Sequence, residues 1–312
     1  MGKLISIVVS AYNEEAGVEE LSRHLIKMFD ENKKYDFEAV VVENGSHDNT
    51  FNKLLDISKK DKRFKILQLS RNFETDGGIT AGLSYAKGDA AVIMAADLQD
   101  PPALIPRFIE KWEEGYENVY GIVKNRPKGR FIRQINSLIF YKIIHMMSNK
   151  KIPQHVSDFR LVDKKVYKVI NTMEEHNRFM RGMFAWAGFK SIGIEFERKE
   201  RFAGESQADF PAVFNLAVKG IFAYSYTPIK FISIFGFLVS GISLFGLLYF
   251  IIKVLMKGVP FPGYGTLVAL MLLMFGFVFL ILGILGQYIA QIYEEVKGRP
   301  NYIVKDKIGF DN

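Results

Sequence analysis

Short apolar runs and amphipathic segments alternate along the first third of the chain. Four runs have the apolar character of buried strands: residues 4–10, 37–42, 64–69 and 90–94. After the first run, apolar positions recur at helical spacing, and Asn13 or a neighbour is expected to cap that helix. A glycine-rich segment leads into a further helix, predicted from about residue 78 to residue 86. Strands that alternate with helices indicate a parallel sheet with both faces covered.

Polar residues follow three of these strands at the points where the strands end. The loops are residues 12–14, 43–46 and 97–100. Ligands bind at the carboxyl ends of strands in open α/β sheets, and parallel strands bring these ends to one edge. We therefore expect the three loops to gather there and to form a nucleotide site.

The loop after the fourth strand carries the chemistry that we expect at this edge. Asp97, Gln99 and Asp100 crowd onto it, and Pro101 and Pro102 end the strand and begin the next helix. The hard oxygen atoms of these side chains suit Mg²⁺ or Mn²⁺ as a cofactor. An isolated pair of acidic residues at this spacing is more often a surface turn, and that alternative stays open on these residues alone.

The middle of the chain is rich in basic and aromatic residues. Three further elements are predicted: a strand at 118–122, a helix at 178–187 and a helix that follows residues 157–161. Cations cluster in residues 124–133 and again in residues 198–206, and the first cluster alone is equally typical of a solvated loop. The amphipathic segments 132–147 and 210–226 predict helices that lie on a bilayer surface.

Two long uncharged segments follow near the C-terminus. Residues 231–252 carry no charge over 22 residues, about 33 Å of helix against a hydrocarbon core of about 30 Å. A second uncharged span covers residues 266–293. Two transmembrane helices are therefore predicted, with the buried hairpin of a soluble protein as the alternative. More cations flank the outer ends than the short connection, so both outer ends are expected in the cytoplasm.

The composition of the chain limits which kinds of protein and which kinds of binding site are compatible with it. The 312 residues allow one large domain or two smaller ones, and the mean hydropathy of +0.06 averages a polar α/β part with an apolar C-terminal part. The absence of cysteine excludes disulfides and thiolate metal sites. The net charge of +7 suits nucleic acid, an anionic membrane surface or a phosphorylated substrate. Because Lys3 is followed at once by a strand pattern, no cleavable signal is expected, and the N-terminal part is expected to stay in the cytoplasm.

Seven short motifs occur in order along the chain. They are SAYNEE (10–15), GS (45–46), SRNF (70–73), AGL (81–83), DLQDPP (97–102), DFRL (158–161) and RFAGES (201–206). In this order they resemble the family 2 glycosyltransferases that act on polyprenyl phosphates, the relatives of dolichol-phosphate mannose synthase. The chain is most similar to the bacterial bactoprenol glucosyltransferase branch, which ends in a two-helix hairpin. The resemblance covers essentially the whole chain.

The resemblance implies a fold and a domain order. The expected fold is α/β: a nucleotide-diphospho-sugar (GT-A) domain with interfacial amphipathic helices and a C-terminal two-helix transmembrane hairpin. The expected regions are a cytoplasmic catalytic domain at 1–209, an interfacial amphipathic helix at 210–228, two transmembrane helices within 229–293 and a cytoplasmic tail at 294–312. The chain is thus expected to be a multi-pass protein of the bacterial plasma membrane.

The same resemblance implies roles for individual residues. Asp158 matches the family's proposed base, and Asp100 is expected close to the sugar or the metal. Asp97 and Gln99 are expected to hold Mg²⁺ or Mn²⁺. The nucleotide-sugar donor is expected against Ala11, Tyr12, Glu14, Glu43, Asn44, Ser46, Arg71, Ala96 and Asp97. The acceptor phosphate is expected at Arg126, Arg130, Arg133 and Arg201.

Two positions depart from the family's pattern. Ala95 stands where the first aspartate of an Asp-Ala-Asp motif is usual, and Glu43 and Asn44 replace the usual Asp-Asp pair. Both changes remove negative charge or alter reach near the nucleotide. The donor therefore stays undetermined among UDP-glucose, UDP-N-acetylglucosamine and UDP-galactose, which the bacterial relatives suggest.

The expected reaction is an inverting, metal-dependent transfer of a sugar from a nucleotide sugar to undecaprenyl phosphate for cell-envelope glycan modification. A phosphate monoester has its second pKa at about 6 and is largely ionised at neutral pH. We therefore expect Asp158 to position groups, the acceptor-binding arginines included, more than to remove a proton.

Other functions and partners were weighed against this reaction. Ala95 and Asn44 keep open an inactive membrane scaffold of the same fold. Nucleic acid is not an expected partner, because the basic residues lie beside membrane-seeking aromatic residues and form no recognised module. The expected partners are the donor, the polyprenyl phosphate and the bilayer. Glycines of the second span permit close helix packing, so a homo-oligomer stays open.

Overall fold

The chain folds into two compact units. The computed structural model describes residues 2–124, 156–176, 178–198, 227–257 and 263–310. The first unit comprises Met1–Ala217 together with Arg299–Asn312, and the second comprises Val218–Gly298. The predicted interfacial segments, residues 132–147 and 210–226, lie outside the described residues.

One eight-stranded sheet organises the described part of the first unit. Its strands are β1 (Leu4–Ala11), β2 (Asp36–Glu43), β3 (Phe64–Leu69), β4 (Ala90–Ala95), β5 (Asn118–Val123), β6 (Val156–Asp163), β7 (Ser191–Phe196) and β8 (Val304–Ile308). Their order across the sheet is β7-β5-β6-β4-β1-β2-β3-β8. β4, β1, β2 and β3 are parallel, whereas β6 and β8 run antiparallel to their neighbours. The sheet is mixed, so the prediction of a parallel sheet was right for its centre and wrong for its flanks.

Six helices accompany this sheet in the described part of the unit. They are α1 (Val18–Glu31), α2 (Thr50–Lys60), α3 (Glu74–Tyr85), α4 (Ile105–Glu113), α5 (Lys164–Thr172) and α6 (Met180–Trp186). A short 3₁₀ turn, Pro102–Leu104, precedes α4. The helix predicted from residue 78 therefore begins earlier, at Glu74. Glycine lowers helix propensity, so the glycine-rich first turns disguised this start.

β1 lies at the centre of the sheet and is covered on both sides. Ile5, Ile7, Val8 and Val9 are fully inaccessible to solvent, as expected for a strand of an internal parallel sheet. α3 packs directly on this strand. A Cβ atom on Gly82 would lie 2.3 Å from Val8 Cγ1, so only glycine permits this close approach.

β6 is a strand that the sequence pattern did not predict. It pairs antiparallel with both β4 and β5. Phe159 and Leu161 belong to the main hydrophobic core, and the alternating pattern of a strand turns Asp158 and Arg160 to the opposite face. Because these charged residues interrupt the apolar run, the sequence pattern of this segment is typical of a loop that precedes a helix. The fold instead uses it as a strand that carries charge on one face.

The chain returns to the first unit after leaving it for the second. β8 pairs antiparallel with β3 at the edge of the sheet. Ser70 N–H donates a hydrogen bond to the Ile303 carbonyl at 2.9 Å, and the rings of Tyr85 and Phe310 meet edge to face with centroids 5.5 Å apart. The region expected to be only a tail, residues 294–312, therefore contributes a strand.

Two long helices make up the described part of the second unit. α7 covers the 31 residues Thr227–Lys257, and α8 covers the 33 residues Tyr264–Val296. The rings of Phe235 and Phe277 bring the two helices into contact, with centroids 5.0 Å apart. Among the described residues, one stretch, Leu273–Val296, is long and apolar enough to cross a membrane by length and composition.

Candidate functional site

The loops after β1 and β2 are joined by hydrogen bonds at the carboxyl edge of the sheet. Asn13 N–H donates to Ser46 Oγ at 3.0 Å, and His47 N–H donates to Asn13 Oδ1 at 3.0 Å. Asn13 has a φ of 54°, in the left-handed region. It does not cap α1 as predicted, because Gly17 occupies the position before that helix. The side chain instead holds the two loops together.

Three predicted donor-site residues lie on the first of these loops. Ala11 is the last residue of β1 and is fully buried. The Tyr12 ring meets the His47 ring edge to face, with centroids 6.3 Å apart. Glu14 N–H donates to Thr50 Oγ1 at 2.9 Å, at the start of α2. The loop is thus fixed to the second strand's loop at several points.

Asn44 connects the second loop to the start of α3. The Asn44 amide nitrogen donates to the Glu74 carbonyl at 2.8 Å, and Phe73 N–H donates to Asn44 Oδ1 at 2.9 Å. Glu43 is buried beside it and accepts a hydrogen bond from Ser46 N–H. An aspartate at position 44 would have no donor for the Glu74 carbonyl, so asparagine has a structural reason there.

Arg71 brings the loop after β3 to the same edge. A Cβ atom on Gly45 would lie 2.4 Å from the Arg71 carbonyl carbon, and Gly45 has a φ of 71°. The second and third loops are therefore in direct backbone contact. The Arg71 guanidinium is exposed and lies over the Phe73 ring at 4.1 Å, where a nucleotide phosphate or base could reach it.

A tight turn follows β4 and buries two carboxylates. Asp97 is 6% exposed and Asp100 is 2% exposed. Gln99 N–H donates to Asp97 Oδ1 at 3.1 Å, and Ala95 N–H donates to Asp100 Oδ2 at 3.3 Å. Leu98 has a φ of 59°, a conformation that bulky residues rarely adopt and that often marks a functional turn. The buried Ala96 precedes this turn.

Asp100 lies among charges that oppose one another. The pKa of Asp100 is raised to about 6, mainly by burial. The charge of Arg198 and the Ala95 N–H oppose this rise, and the negative charges of Asp97 and Asp158 add to it. Arg198 Nε is 3.8 Å from Asp100 Oδ1, an ion pair without a hydrogen bond. The structure thus brings Asp97, Asp100 and Asp158 within electrostatic range of one another.

Asp158 pairs with an arginine that the sequence did not single out. Arg181 Nε donates to Asp158 Oδ1 at 2.8 Å. Asp76, on the first turn of α3, accepts a hydrogen bond from the Met180 N–H. The pKa of Asp76 is raised to about 7 by burial and by the negative charge of Asp158, although the positive charge of Arg181 lowers it. In the sequence, Asp76 could have been noticed as an acidic residue directly before a pair of glycines. Nothing in the sequence distinguished Arg181 from the other arginines.

The predicted metal ligands fit a divalent cation that a phosphate completes. Among the described residues, no group of three or more His, Cys, Asp or Glu side chains is arranged to hold a metal alone. Mg²⁺ is commonly bound through one or two carboxylates together with substrate phosphates. Asp97 and Gln99 supply oxygen donors, and the buried Asp100 Oδ1 has no hydrogen-bond partner. This donor set suits Mg²⁺ or Mn²⁺ bound with a diphosphate.

The predicted acceptor residues lie outside the described part of the chain. They are Arg126, Arg130, Arg133 and Arg201. Their role stays a prediction. The structure instead shows three arginines near the carboxylates: Arg160, Arg181 and Arg198.

Comparison with known proteins identifies close relatives. The model of the glycosyl transferase family 2 matches residues 6–170. The uncharacterized glycosyltransferase YkcC of Bacillus subtilis is 40% identical over 310 residues, which cover 98% of this chain and 95% of that one. The bactoprenol glucosyl transferase of Shigella phage SfII is 35% identical over 301 residues, which cover 96% and 97%.

A solved structure shares the fold at low identity. The crystal structure of a mycobacterial protein aligns with a TM-score of 0.50 and 16% identity, over 71% of this chain and 73% of that one. At this identity the likeness shows the arrangement of elements alone.

Proposed function

Since the chain belongs to glycosyl transferase family 2, we propose that it transfers a hexose from a nucleotide sugar to polyprenyl phosphate, with inversion at the transferred sugar carbon. The proposed donor is UDP-glucose, UDP-N-acetylglucosamine or UDP-galactose, and the proposed acceptor is undecaprenyl phosphate at the cytoplasmic membrane face. The prediction of a family 2 enzyme of the polyprenyl-phosphate type is confirmed by relatives named as bactoprenol glucosyl transferases. The fold is of the GT-A-like α/β kind, with a mixed sheet.

The observation that carries this proposal is the convergence of charged groups at one edge of the sheet. The loops after β1 and β2 are hydrogen-bonded to each other. β4 is a parallel neighbour of β1, so the loop after it leaves the sheet at the same edge, as a nucleotide site requires. Asp97 and Asp100 follow β4, and Asp158 enters from β6. A scaffold has no need of three carboxylates within electrostatic range, and Asn44, which favoured that alternative, is explained by its loop contacts.

We assign the divalent cation to Asp97 and Gln99, with Asp100 beside it. A bound Mg²⁺ or Mn²⁺ would take up the negative charge that develops on the leaving diphosphate. The chain's own residues orient the donor. Glu43 and Ser46 hold the loop against which the base and ribose would lie, and the backbone turn at Leu98 fixes the direction of the neighbouring carboxylates.

The attacking group in this reaction is a phosphate oxygen of the acceptor. A phosphate monoester with its second pKa at about 6 needs no base at neutral pH. The hydrogen bond from Arg181 Nε to Asp158 supports a positioning role, because the carboxylate fixes the guanidinium in one orientation. Arginine offers forked, charge-assisted hydrogen bonds to phosphate, so an oriented Arg181 can hold the acceptor.

We further propose that α7 and α8 cross the membrane as a hairpin. Both are longer than the roughly 20 residues that a crossing needs. β3 and β8 share one sheet although the second unit lies between them in sequence. This connection supports a topology in which both ends of the second unit lie on the same side of a membrane, with an even number of crossings.

The test is sugar transfer by the purified full-length protein in detergent. Undecaprenyl phosphate is offered with a panel of UDP- and GDP-sugars, and with Mg²⁺, Mn²⁺ or a chelator. We expect transfer from one donor, lost with chelator and reduced about a hundredfold or more in Asp97→Ala. Asp56→Ala, exposed on α2, is the matched control and should transfer normally. Transfer that persists with chelator would contradict the metal assignment, and absence of both nucleotide binding and transfer would contradict the activity.

A further inference from the structure

A cavity of about 370 Å³ lies on one face of the sheet, over β5, β6 and β7. Its walls combine cations, aromatic rings and polar groups, including Asn118, Tyr120, Arg160, Arg181, Ala185 and Trp186. The predicted donor and metal residues are not among its lining residues. Arg181 connects the cavity to the catalytic edge, because the same guanidinium pairs with Asp158.

Arg160 is a buried cation at the wall of this cavity. It is 2% exposed. Its guanidinium donates to the Ser157 carbonyl at 3.1 Å and lies over the Phe184 ring at 4.5 Å. No carboxylate of the described residues lies within ion-pair distance of Arg160. Burial lowers the pKa of Arg160 to about 10, against the charge of Asp158. A buried charge without a counter-ion is costly, so an anion in the cavity would offset that cost.

Asn118 supplies a second unsatisfied group in the same cavity. It is 4% exposed, and its amide nitrogen donates to Ser191 Oγ at 3.1 Å. Its carbonyl oxygen Oδ1 is buried and has no hydrogen-bond partner. An ordered water that bridges this oxygen and an anionic ligand would satisfy it, so the ligand itself needs no hydrogen-bond donor.

Apolar surface completes the cavity. Trp186 is 66% exposed although it is large and aromatic, and Tyr120 and Phe189 also line the walls. Exposed apolar side chains beside a buried cation fit a phosphate that is carried on an apolar group. This combination fits a prenyl phosphate better than a nucleotide, whose base and ribose would need more polar partners.

We propose that this cavity binds the phosphate and the first prenyl unit of the acceptor, with Arg160 as the counter-ion of the ionised phosphate. The proposal rests on the proposed function for its natural ligand. It assigns the acceptor phosphate to a pocket on β5, β6 and α6, in addition to the arginines predicted from the sequence. Free phosphate shares the chemistry of this group and is the alternative source.

Trp186 provides a direct measurement of binding. The chain has two tryptophans, and the other, Trp112, is 9% exposed and donates to Asp163 at 2.8 Å. Full-length protein in detergent, without any nucleotide sugar, is titrated with farnesyl phosphate, farnesol or inorganic phosphate. We expect a saturable change in emission with farnesyl phosphate, and binding of the other two that is weaker by about tenfold or more. Trp186→Phe should remove the signal.

Two variants test the cavity in different ways. Arg160→Gln removes the cation, and Ala185→Leu fills the cavity while it keeps the charge. Each should raise the Kd for farnesyl phosphate by about tenfold or more. Arg23→Gln removes the same charge from the exposed surface of α1 and should leave the Kd unchanged. Ala185→Leu keeps the test decisive if Arg160→Gln fails to fold.

The outcomes separate this proposal from the proposed function. Unchanged affinity in Ala185→Leu and in folded Arg160→Gln would overturn the site, even if sugar transfer is observed. Inorganic phosphate that binds as tightly as farnesyl phosphate would overturn the assignment to the lipid. Affinity that depends on Arg160 and Ala185, in a protein that transfers no sugar, would support the site and contradict the proposed function.

Discussion

At the scale of single residues, the contact between Asp158 and Arg181 bears directly on the mechanism. A base must reach a proton on the acceptor, whereas a positioning group must hold a partner. The carboxylate of Asp158 already accepts a hydrogen bond from Arg181 Nε at 2.8 Å. This geometry favours the positioning role, and the two roles predict different pH dependences.

We predict that Asp158→Asn lowers kcat/KM for the lipid acceptor by about 10- to 100-fold at every pH from about 6 to about 9. The acceptor phosphate is ionised over most of this range, so a higher pH should not restore the rate. The measurement is the pH profile of initial rates. Arg181→Lys keeps the charge but loses the Nε contact, and it should show the same pH-independent loss. Recovery of Asp158→Asn at high pH would identify a base instead.

Asp100 illustrates the cost of burying a carboxylate at the site. Its pKa is raised to about 6 in the folded protein, mainly by burial, so the folded state binds the proton more tightly than the unfolded chain. The resulting stability is present at low pH and is lost as pH rises through about 6. In the absence of metal, the ionised side chain therefore destabilises the fold at neutral pH.

We predict that Asp100→Asn, which resembles the protonated side chain, raises the apparent Tm by about 5 °C at pH 8 without metal. The gain should be much smaller at about pH 4, where the wild-type carboxyl is protonated in the folded state. Thermal unfolding at the two pH values measures the difference. Asp56→Asn, on the exposed surface of α2, should show no such dependence on pH. Equal gains at both pH values would contradict this account of Asp100.

At the scale of elements, the glycines of α3 permit the close packing that shapes the site. Gly82 lets α3 contact β1, and a Cβ atom on Gly78 would lie 2.2 Å from Ser10 Oγ. The N-terminal end of this helix carries Asp76 and receives the contacts of Asn44. The distance between α3 and the sheet therefore determines where these side chains lie.

We predict that Gly82→Ala destabilises the protein by about 1–3 kcal/mol although alanine is the better helix former. The added methyl group would overlap Val8, a fully buried residue that has no room to move. The apparent Tm should fall by several degrees. Ser84→Ala, on the exposed side of α3, is the control and should change the Tm little. An unchanged Tm in Gly82→Ala would mean that the helix and β1 separate without cost.

At the scale of the whole molecule, the path of the chain constrains the membrane topology. The sequence leaves the first unit, forms α7 and α8, and returns as β8 of the same sheet. If α7 and α8 cross a membrane as proposed, β8 must lie on the same side as the sheet that it joins. The positive-inside rule, which rests on the flanking cations, independently predicts both outer ends in the cytoplasm.

The absence of cysteine allows a direct test of this topology. We predict that a membrane-impermeant maleimide labels Lys257→Cys, at the end of α7, in intact cells. Lys305→Cys, on the exposed side of β8, should react only after the cells are permeabilised. The cysteine-free parent protein is the control for background labelling. Reaction of Lys305→Cys in intact cells would contradict the cytoplasmic placement of β8, and the same accessibility at both positions would contradict the hairpin.

The sequence alone determined the central strands, the motif order and the family. An apolar run is buried as a strand whichever strands lie beside it, and loops at the carboxyl ends of parallel strands meet at one edge of the sheet. The central strands and the place of the site can therefore be predicted without knowledge of distant contacts. The same holds for the apolar C-terminal segments, whose length and lack of charge are local properties.

Only the tertiary structure decided the flanks of the sheet and the surroundings of Asp158. β6 alternates charged and apolar residues, and β8 is short and separated from its partner by the second unit, so neither has a local signature. Arg181 meets Asp158 because α6 packs beside β6, and Arg160 lines a cavity because β5 and β7 complete its walls. Contacts between residues far apart in sequence fixed these features, because charged side chains take their roles from the partners that the fold brings to them.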